Sequence, residues 1–217
     1  MEKFKVIELF ESIQGESSYT GKLCFFIRLS GCNIACSYCD TEYAQSPSVG
    51  EEMTIKELVD AVSASGIPLV EITGGEPLMQ KNIGKLCDAL LANGNEVMIE
   101  TNGTYDISSI ASAVKRVVDC KTPSSGFANR NLCSNYELLT PNDEVKFVIS
   151  DRSDYEYSKE IITKYELFSK TDNILFSSVW ERLEPKQLVA WIVEDKLPVR
   201  FQLQIHKKIW DPDAKCV

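Results

Sequence analysis

Short apolar strands alternate with amphipathic helices along most of this chain, and that alternation limits the possible folds more than any other feature. Lys5–Phe10 and Leu23–Leu29 (LCFFIRL) are short, apolar and rich in β-formers, which predicts two strands. Ser12–Gly21 between them is a polar loop carrying Gln14, Gly15 and Glu16. Thr54 and Glu57 form a capping box, and Ile55, Leu58, Val59 and Val62 follow at helical spacing. Leu69–Thr73 predicts a strand that runs straight into Gly74-Gly75-Glu76-Pro77. The next helix carries Ile83, Leu86, Leu90 and Leu91 on one face and stops near Asn93-Gly94. Glu96–Glu100 predicts a further strand, ending at Thr101-Asn102-Gly103-Thr104.

The second half continues in the same way. Ile107–Val114 predicts a short helix and Arg116–Cys120 a strand, while Ser124–Leu139 has the chemistry of a loop. Glu144–Ile149 (EVKFVI) and Asn173–Ser177 predict strands. Ser153 and Glu156 suggest the cap of a helix with Tyr157, Ile161, Tyr165 and Phe168 on its apolar face. Pro185 opens a helix with Leu188, Trp191 and Ile192 inward, and Val199–Gln204 closes the series as a strand. Such alternation specifies an α/β protein with a largely parallel sheet. The units are too few to close an eight-fold barrel, so an open partial (β/α) barrel is expected, in one domain over residues 1–217.

The polar groups follow the strand ends. Cys32 to Asp40 comes after the second strand, Gly74 to Pro77 after the third and Glu100 to Thr104 at the end of the fourth. Lys121 follows the fifth strand and His206 the last. Carboxyl ends of parallel strands share one face, where ligands bind. Gly74-Gly75 reads either as a tight turn or as a close backbone approach to a ligand. Arg28, inside an apolar strand, needs an anionic partner, which is either a structural carboxylate or an acidic substrate. His206 alone reads as a satisfied core histidine or a ligand-binding one.

Three cysteines, Cys32, Cys36 and Cys39, stand in the spacing CxxxCxxC. Three thiolates on a cube of four irons leave one iron without a protein ligand. That iron can chelate an amine and a carboxylate, which S-adenosylmethionine carries. Zinc is the bland alternative, but a structural zinc takes four protein ligands, and the loop offers three. Cys24, Cys120 or Cys133 would have to supply the fourth. Cys24 and Cys87 otherwise read as small buried residues. The polar opening Met1-Glu2-Lys3, without an apolar signal segment, makes a reducing cytoplasm the expected location and a disulfide framework the weaker reading. A net charge of -9 without a basic run argues against nucleic acid, and no apolar run reaches the ~20 residues of a membrane span. A small molecule is the expected substrate.

Cys32-Cys36-Cys39 together with Gly74-Gly75-Glu76-Pro77 resembles the radical S-adenosylmethionine superfamily, whose open partial barrel matches the fold class expected above. Over nearly its whole length the chain is similar to the 7-carboxy-7-deazaguanine synthase family. The supporting segments are Glu11–Glu16, Phe26–Cys32, Tyr38–Thr41, Ile72–Pro77, Glu100–Thr104 and Gln204–Lys207. The resemblance implies a radical lyase of queuosine and 7-deazapurine biosynthesis. It would convert 6-carboxy-5,6,7,8-tetrahydropterin to 7-carboxy-7-deazaguanine with loss of ammonia, using a 4Fe-4S cluster, S-adenosylmethionine and Mg2+. A 5′-deoxyadenosyl radical would take a hydrogen from C6 of the substrate, and the rearranged product radical would take it back.

By matched position, the resemblance assigns Ile13, Gln14, Gly15 and Glu16 to the pterin ring, Arg28 to the substrate carboxylate, and Thr73 and His206 to substrate. Thr41 would reach Mg2+. Tyr38, Cys39, Asp40, Gly74, Gly75 and Glu76 would face the cofactor, as would Asp119, Cys120 and Lys121; some relatives show Ser-Pro-Lys at this last segment, so Lys121 transfers most directly. A homodimer and an electron donor such as flavodoxin are also implied. The chain runs on past the His-Lys motif as a C-terminal extension to the substrate site, which leaves either Pro212 or the Val217 carboxylate to reach the substrate. Two other readings compete. An activating enzyme that makes a glycyl radical on a protein partner predicts an open site, and a non-catalytic zinc module leaves Arg28 and Gly74–Pro77 unexplained.

Overall fold

The computed structural model describes residues 2–212 and 214–217. Strands β1 (Lys3–Ile13) and β2 (Leu23–Leu29) pair antiparallel, and β3 (Glu51–Thr54) adds antiparallel to the outer side of β1. From β2 onward every neighbour is parallel. The spatial order continues through β4 (Leu69–Gly74), β5 (Glu96–Thr101), β6 (Lys115–Asp119), β7 (Glu144–Ile149), β8 (Ile174–Ser178) and the two-residue β9 (Arg200–Phe201). The sheet ends at β3 on one side and β9 on the other, so the barrel stays open, as expected. Helices α1 (Ile55–Ser65), α2 (Ile83–Ala92), α3 (Arg152–Lys164) and α4 (Pro185–Glu194) make four of the crossovers, and α5 (His206–Ile209) is a single turn after β9.

Each of the four longer helices lays one stripe on the sheet. Leu58 and Val62 of α1 and Ile83, Leu86, Cys87 and Leu90 of α2 pack over Ile27, Leu29, Val70, Ile72 and Ile99. Tyr155 and Ile162 of α3 and Leu188 of α4 cover Val145, Phe147, Ile149 and Phe176. Each such side chain contributes about 1.5–3 kcal/mol when fully buried. On the other, concave face, Phe10, Cys24, Phe26, Leu69, Met98 and Val117 form a smaller apolar layer.

A register shift between Val6 and Glu8 divides β1 into two halves. The extra residue reverses which side chains face the helices, because strand side chains alternate with period two. Phe4 and Val6 join the helix-side core before the shift, whereas Leu9 joins it after. Glu8 therefore pairs with Arg28, and Phe10 stacks on Phe26 at 4.7 Å between ring centres.

Local signals set most element ends. Thr54 accepts from the Glu57 N–H while the Glu57 carboxylate accepts from the Thr54 N–H, completing the capping box. Three expectations need correction. Ile107–Val114 is not a helix: only Ile107–Ser109 makes a 3-10 turn, capped by Asp106, although Ile107, Ile110 and Val114 are buried as the spacing required. A stretch this short and serine-rich does not recover the cost of nucleating an α-helix. Asp151 rather than Ser153 caps α3, accepting from the Asp154 N–H, and this turns Tyr155, Ser158 and Ile162 inward beside Ile161 and leaves Phe168 exposed beyond the helix. Val199–Gln204 keeps only Arg200–Phe201 as strand. β3, too polar to announce itself, is an edge strand tied by Lys3 to Glu52.

Candidate active site

The concave face of the sheet and the loops at the carboxyl ends of its strands surround a cavity of about 690 Å³, a size suited to small molecules. Alternation along successive strands sends one charged or polar residue after another into it. Arg28 comes from β2, Glu71 and Thr73 from β4, Glu100 from β5, Asp119 from β6 and Lys146 from β7. Phe10 and Phe26 line the apolar side.

The loop after β1 crosses this concave face. Ser18 hydrogen-bonds Glu144 at the start of β7, and Gln14 donates through Nε2 to Glu71 at 2.9 Å. Gln14 Oε1 accepts from the N–H groups of Glu16 (2.7 Å) and Ser17 (2.8 Å), so this buried side chain shapes the loop from within. Ile13, Gln14, Gly15 and Glu16 all line the cavity. A side chain at Gly15 would meet His206, whose Nδ1 lies 2.8 Å from a β-carbon built there. Glu16 accepts from Gln204 at 2.9 Å and pairs with Lys146 at 3.1 Å. Burial opposes its ionisation, yet Lys146 and His206 hold its carboxyl below the usual range.

Lys146 also hydrogen-bonds Glu100. Burial works against its charge, but Glu100 and Glu16 keep the ammonium protonated well above its usual range. Glu71 differs, because burial and the neighbouring Glu100 push its carboxyl up to about 8. Asp40 pairs with Lys207 at 2.9 Å, which holds it far below the usual range, and it accepts from the Thr41 hydroxyl at 3.0 Å. Arg28 finds a structural carboxylate, since its Nε donates to Glu8 Oε1 at 2.6 Å.

The cysteine loop forms another wall. Gly31 and Cys32 donate to the carbonyls of Ala44 and Gln45, and Glu76 N–H donates to the Gly31 carbonyl at 2.8 Å. Arg182 clamps Ser37 through its hydroxyl (3.0 Å) and its carbonyl (2.6 Å). Asn102 Nδ2 lies 3.7 Å from Cys32 Sγ. The glycine pair seats this loop: a β-carbon at Gly74 would lie 2.0 Å from the Leu29 carbonyl oxygen, and one at Gly75 2.3 Å from that of Gly31. Gly74 also holds φ +142.

Cys32, Cys36 and Cys39 all line the cavity, and burial raises the Cys36 thiol to about 11. Among the described residues, the metal-ligating atoms that converge within 4.8 Å in a set of three are those of Glu16, Asp40 and His206, not the three thiols. One tetrahedral zinc would bring its sulfurs to about 3.8 Å of one another, given Zn–S bonds of about 2.3 Å. Wider spacing suits a cluster, in which each thiolate takes a different iron. Three thiols on one wall, each able to take a different iron, fit 4Fe-4S.

The cavity gathers most of the residues singled out in the sequence. Tyr38, Asp40, Thr41, Thr73, Gly74, Gly75, Asp119, Lys121 and His206 line it beside those already described. Two do not. Glu76 is buried behind it, accepting from Leu78 N–H (2.9 Å), Thr101 hydroxyl (2.8 Å) and Asn102 N–H (2.6 Å), and it ties β4 to β5 rather than facing the cavity. Cys120 points into the core, where the Tyr136 hydroxyl donates to its sulfur at 3.0 Å, because its neighbours Asp119 and Lys121 take the cavity side. Sequence reasoning passed over Glu71 and Lys146, and named Glu100 only as the end of a strand. The signal was available, since each is a charge beyond the first residue of an otherwise apolar strand, as Arg28 is. Pro212 and Val217 both line the cavity, so the C-terminal extension does reach it.

This cavity has the features of the radical SAM class, and residues 26–124 match the family model described as Radical SAM superfamily. A 7-carboxy-7-deazaguanine synthase of Koribacter versatilis is 39% identical, over 98% of this chain and all of that protein. One of Chlorobaculum tepidum is 42% identical, over 98% of this chain and 96% of that protein. The crystal structure of QueE from Escherichia coli superposes with a TM-score of 0.72 at 22% identity, over 93% of each chain, which bears on the fold. The chain belongs to the 7-carboxy-7-deazaguanine synthase family.

Proposed function

We propose that this protein is a radical SAM lyase that converts 6-carboxy-5,6,7,8-tetrahydropterin to 7-carboxy-7-deazaguanine with release of ammonia. One observation carries the reading: the three cluster-type thiols and a half-buried arginine line the same small cavity, at the carboxyl ends of a parallel sheet. When bound, the reduced 4Fe-4S cluster and S-adenosylmethionine supply the hydrogen-abstracting radical. The protein binds, orients and excludes water.

Cys32, Cys36 and Cys39 would hold the cluster, losing their protons as they bind. Gly74 and Gly75 let the loop approach, and Tyr38, Asp40 and Lys121 would face the cofactor. Ile13 to Glu16 would hold the pterin, with Glu16 accepting from its guanidine-like edge, and Thr73 and His206 would touch it from either side. Arg28, in contact with Glu8, would pair its remaining nitrogens with the substrate carboxylate. The Thr41 hydroxyl would serve Mg2+, a cation that prefers oxygen ligands. Positioning of this kind is how a protein makes one outcome of radical chemistry dominate.

The functional unit in this reading is residues 1–217, with the segment from Pro212 to Val217 as the substrate-site extension. A homodimer, an electron donor such as flavodoxin and a cytoplasmic location complete it. Eight free cysteines support a reducing compartment, and no helix among the described residues is long and apolar enough to cross a membrane. The test is an anaerobic product assay by mass spectrometry with reconstituted protein, reductant, S-adenosylmethionine, Mg2+ and 6-carboxytetrahydropterin. Formation of 7-carboxy-7-deazaguanine is expected. Deoxyadenosine without that product would move the substrate elsewhere, and no cofactor cleavage from cluster-loaded protein would overturn the reading.

A further inference from the structure

The register shift in β1 has a chemical result. Ile7 is the residue between the two registers; without the shift Glu8 would belong to the helix side, where Phe4, Val6 and Leu9 are packed. With it, Glu8 stands directly opposite Arg28. Glu8 Oε1 accepts from Arg28 Nε at 2.6 Å and from the Tyr43 hydroxyl at 2.8 Å, and Oε2 accepts from the Cys216 thiol at 3.0 Å. The rings of Phe10 and Tyr43 lie 5.5 Å and 6.0 Å from the guanidinium carbon. Arg28 is thus held at Nε and bracketed by two rings. Among the described residues Nη1 and Nη2 have no hydrogen-bond partner, and Arg28 lines the cavity.

We propose that Glu8 is a positioning residue for substrate recognition, which fixes the plane of the Arg28 guanidinium so that its two terminal nitrogens meet the carboxylate of the substrate as a fork. The proposal rests on the functional reading above and deepens it. A planar guanidinium offers five donors in fixed directions, so anchoring Nε settles where the remaining donors point. The carboxylate–guanidinium geometry does the selecting, and Glu8 never touches the substrate. Burial works against ionisation of Glu8, yet the hydrogen bonds from Cys216, Tyr43 and Arg28 keep it in the charged form.

The experiment compares two probes, 6-carboxytetrahydropterin and a tetrahydropterin lacking the carboxylate. Their dissociation constants are measured anaerobically by equilibrium dialysis on cluster-loaded protein with S-adenosylmethionine. Wild type should prefer the carboxylated probe. Glu8→Ala should weaken that probe about 10- to 100-fold, the size of one charge-assisted hydrogen bond, and leave the other within about threefold. Glu8→Gln keeps an oxygen at the same reach and should retain the preference. Glu8→Asp keeps the charge but falls short of Nε and should lose it, which preserves the test if the alanine variant does not fold. Equal weakening of both probes, or a glutamine variant no better than the aspartate one, would overturn the positioning role while leaving the function intact. A wild-type enzyme indifferent to the carboxylate would overturn the functional reading, and the Glu8 proposal with it.

Discussion

Lys146→Met tests the charged floor of the cavity most severely. Lys146 is buried, its ammonium lies 3.1 Å from Glu16 and also touches Glu100, and methionine keeps much of the stem's volume while removing the charge. Glu16 and Glu100 then share a buried site with Glu71, already pushed up to about 8. Removing one partner of a buried pair costs about 3–5 kcal/mol, because the other charge stays buried without compensation. The orphaned carboxyls limit that loss by taking up protons, which raises their folded pKa above the unfolded value of about 4.3. A raised folded pKa means stability present at low pH and lost as pH rises through it. Urea unfolding should therefore show a deficit against wild type of about 3–5 kcal/mol at pH 8 that shrinks markedly near pH 5. Adding Glu100→Gln should recover part of it at pH 8. A deficit below about 1 kcal/mol, or one equal at the two pH values, would refute the claim that Lys146 compensates these carboxylates.

Further outcomes can be checked separately. Gly75→Ala should destabilise the protein by about 1–3 kcal/mol and lower iron content after reconstitution, because its β-carbon would press the Gly31 carbonyl beside Cys32; normal melting and loading would show that the loop can yield. Cys36→Ala should abolish reductive cleavage of S-adenosylmethionine, and retained cleavage would remove the cluster assignment. Thr41→Ala should blunt the dependence of turnover on Mg2+, and a wild-type enzyme indifferent to chelator would count against Thr41 as a metal ligand.

The strands were readable where apolar β-formers sat between turn residues. LCFFIRL and EVKFVI matched the observed bounds to the residue. The helix-start signals at Thr54 and Pro185 were equally local, since each lies within a few residues of the end it sets. Ile107–Val114 misled because helical spacing of three buried residues is met equally well by turns packed under tertiary contacts. Cys120 turns from the cavity because its neighbours Asp119 and Lys121 face it, and one residue along a strand end is enough to reverse direction. Glu76 instead collects three donors from its own turn and β5, and Cys120 a tyrosine hydroxyl.

By itself, the sequence determined the class of fold, the three-thiolate loop and the side of the sheet on which chemistry gathers, because each depends on spacing within a short stretch of chain. Tertiary structure alone decided how the charges are paired. Lys146 meets Glu16 across 130 positions and Glu8 meets Arg28 through a register shift, and no local pattern encodes either distance. Buried charges are satisfied by whatever the fold brings within about 3 Å, so the pairing that sets their protonation and aim arises only when the strands are laid side by side.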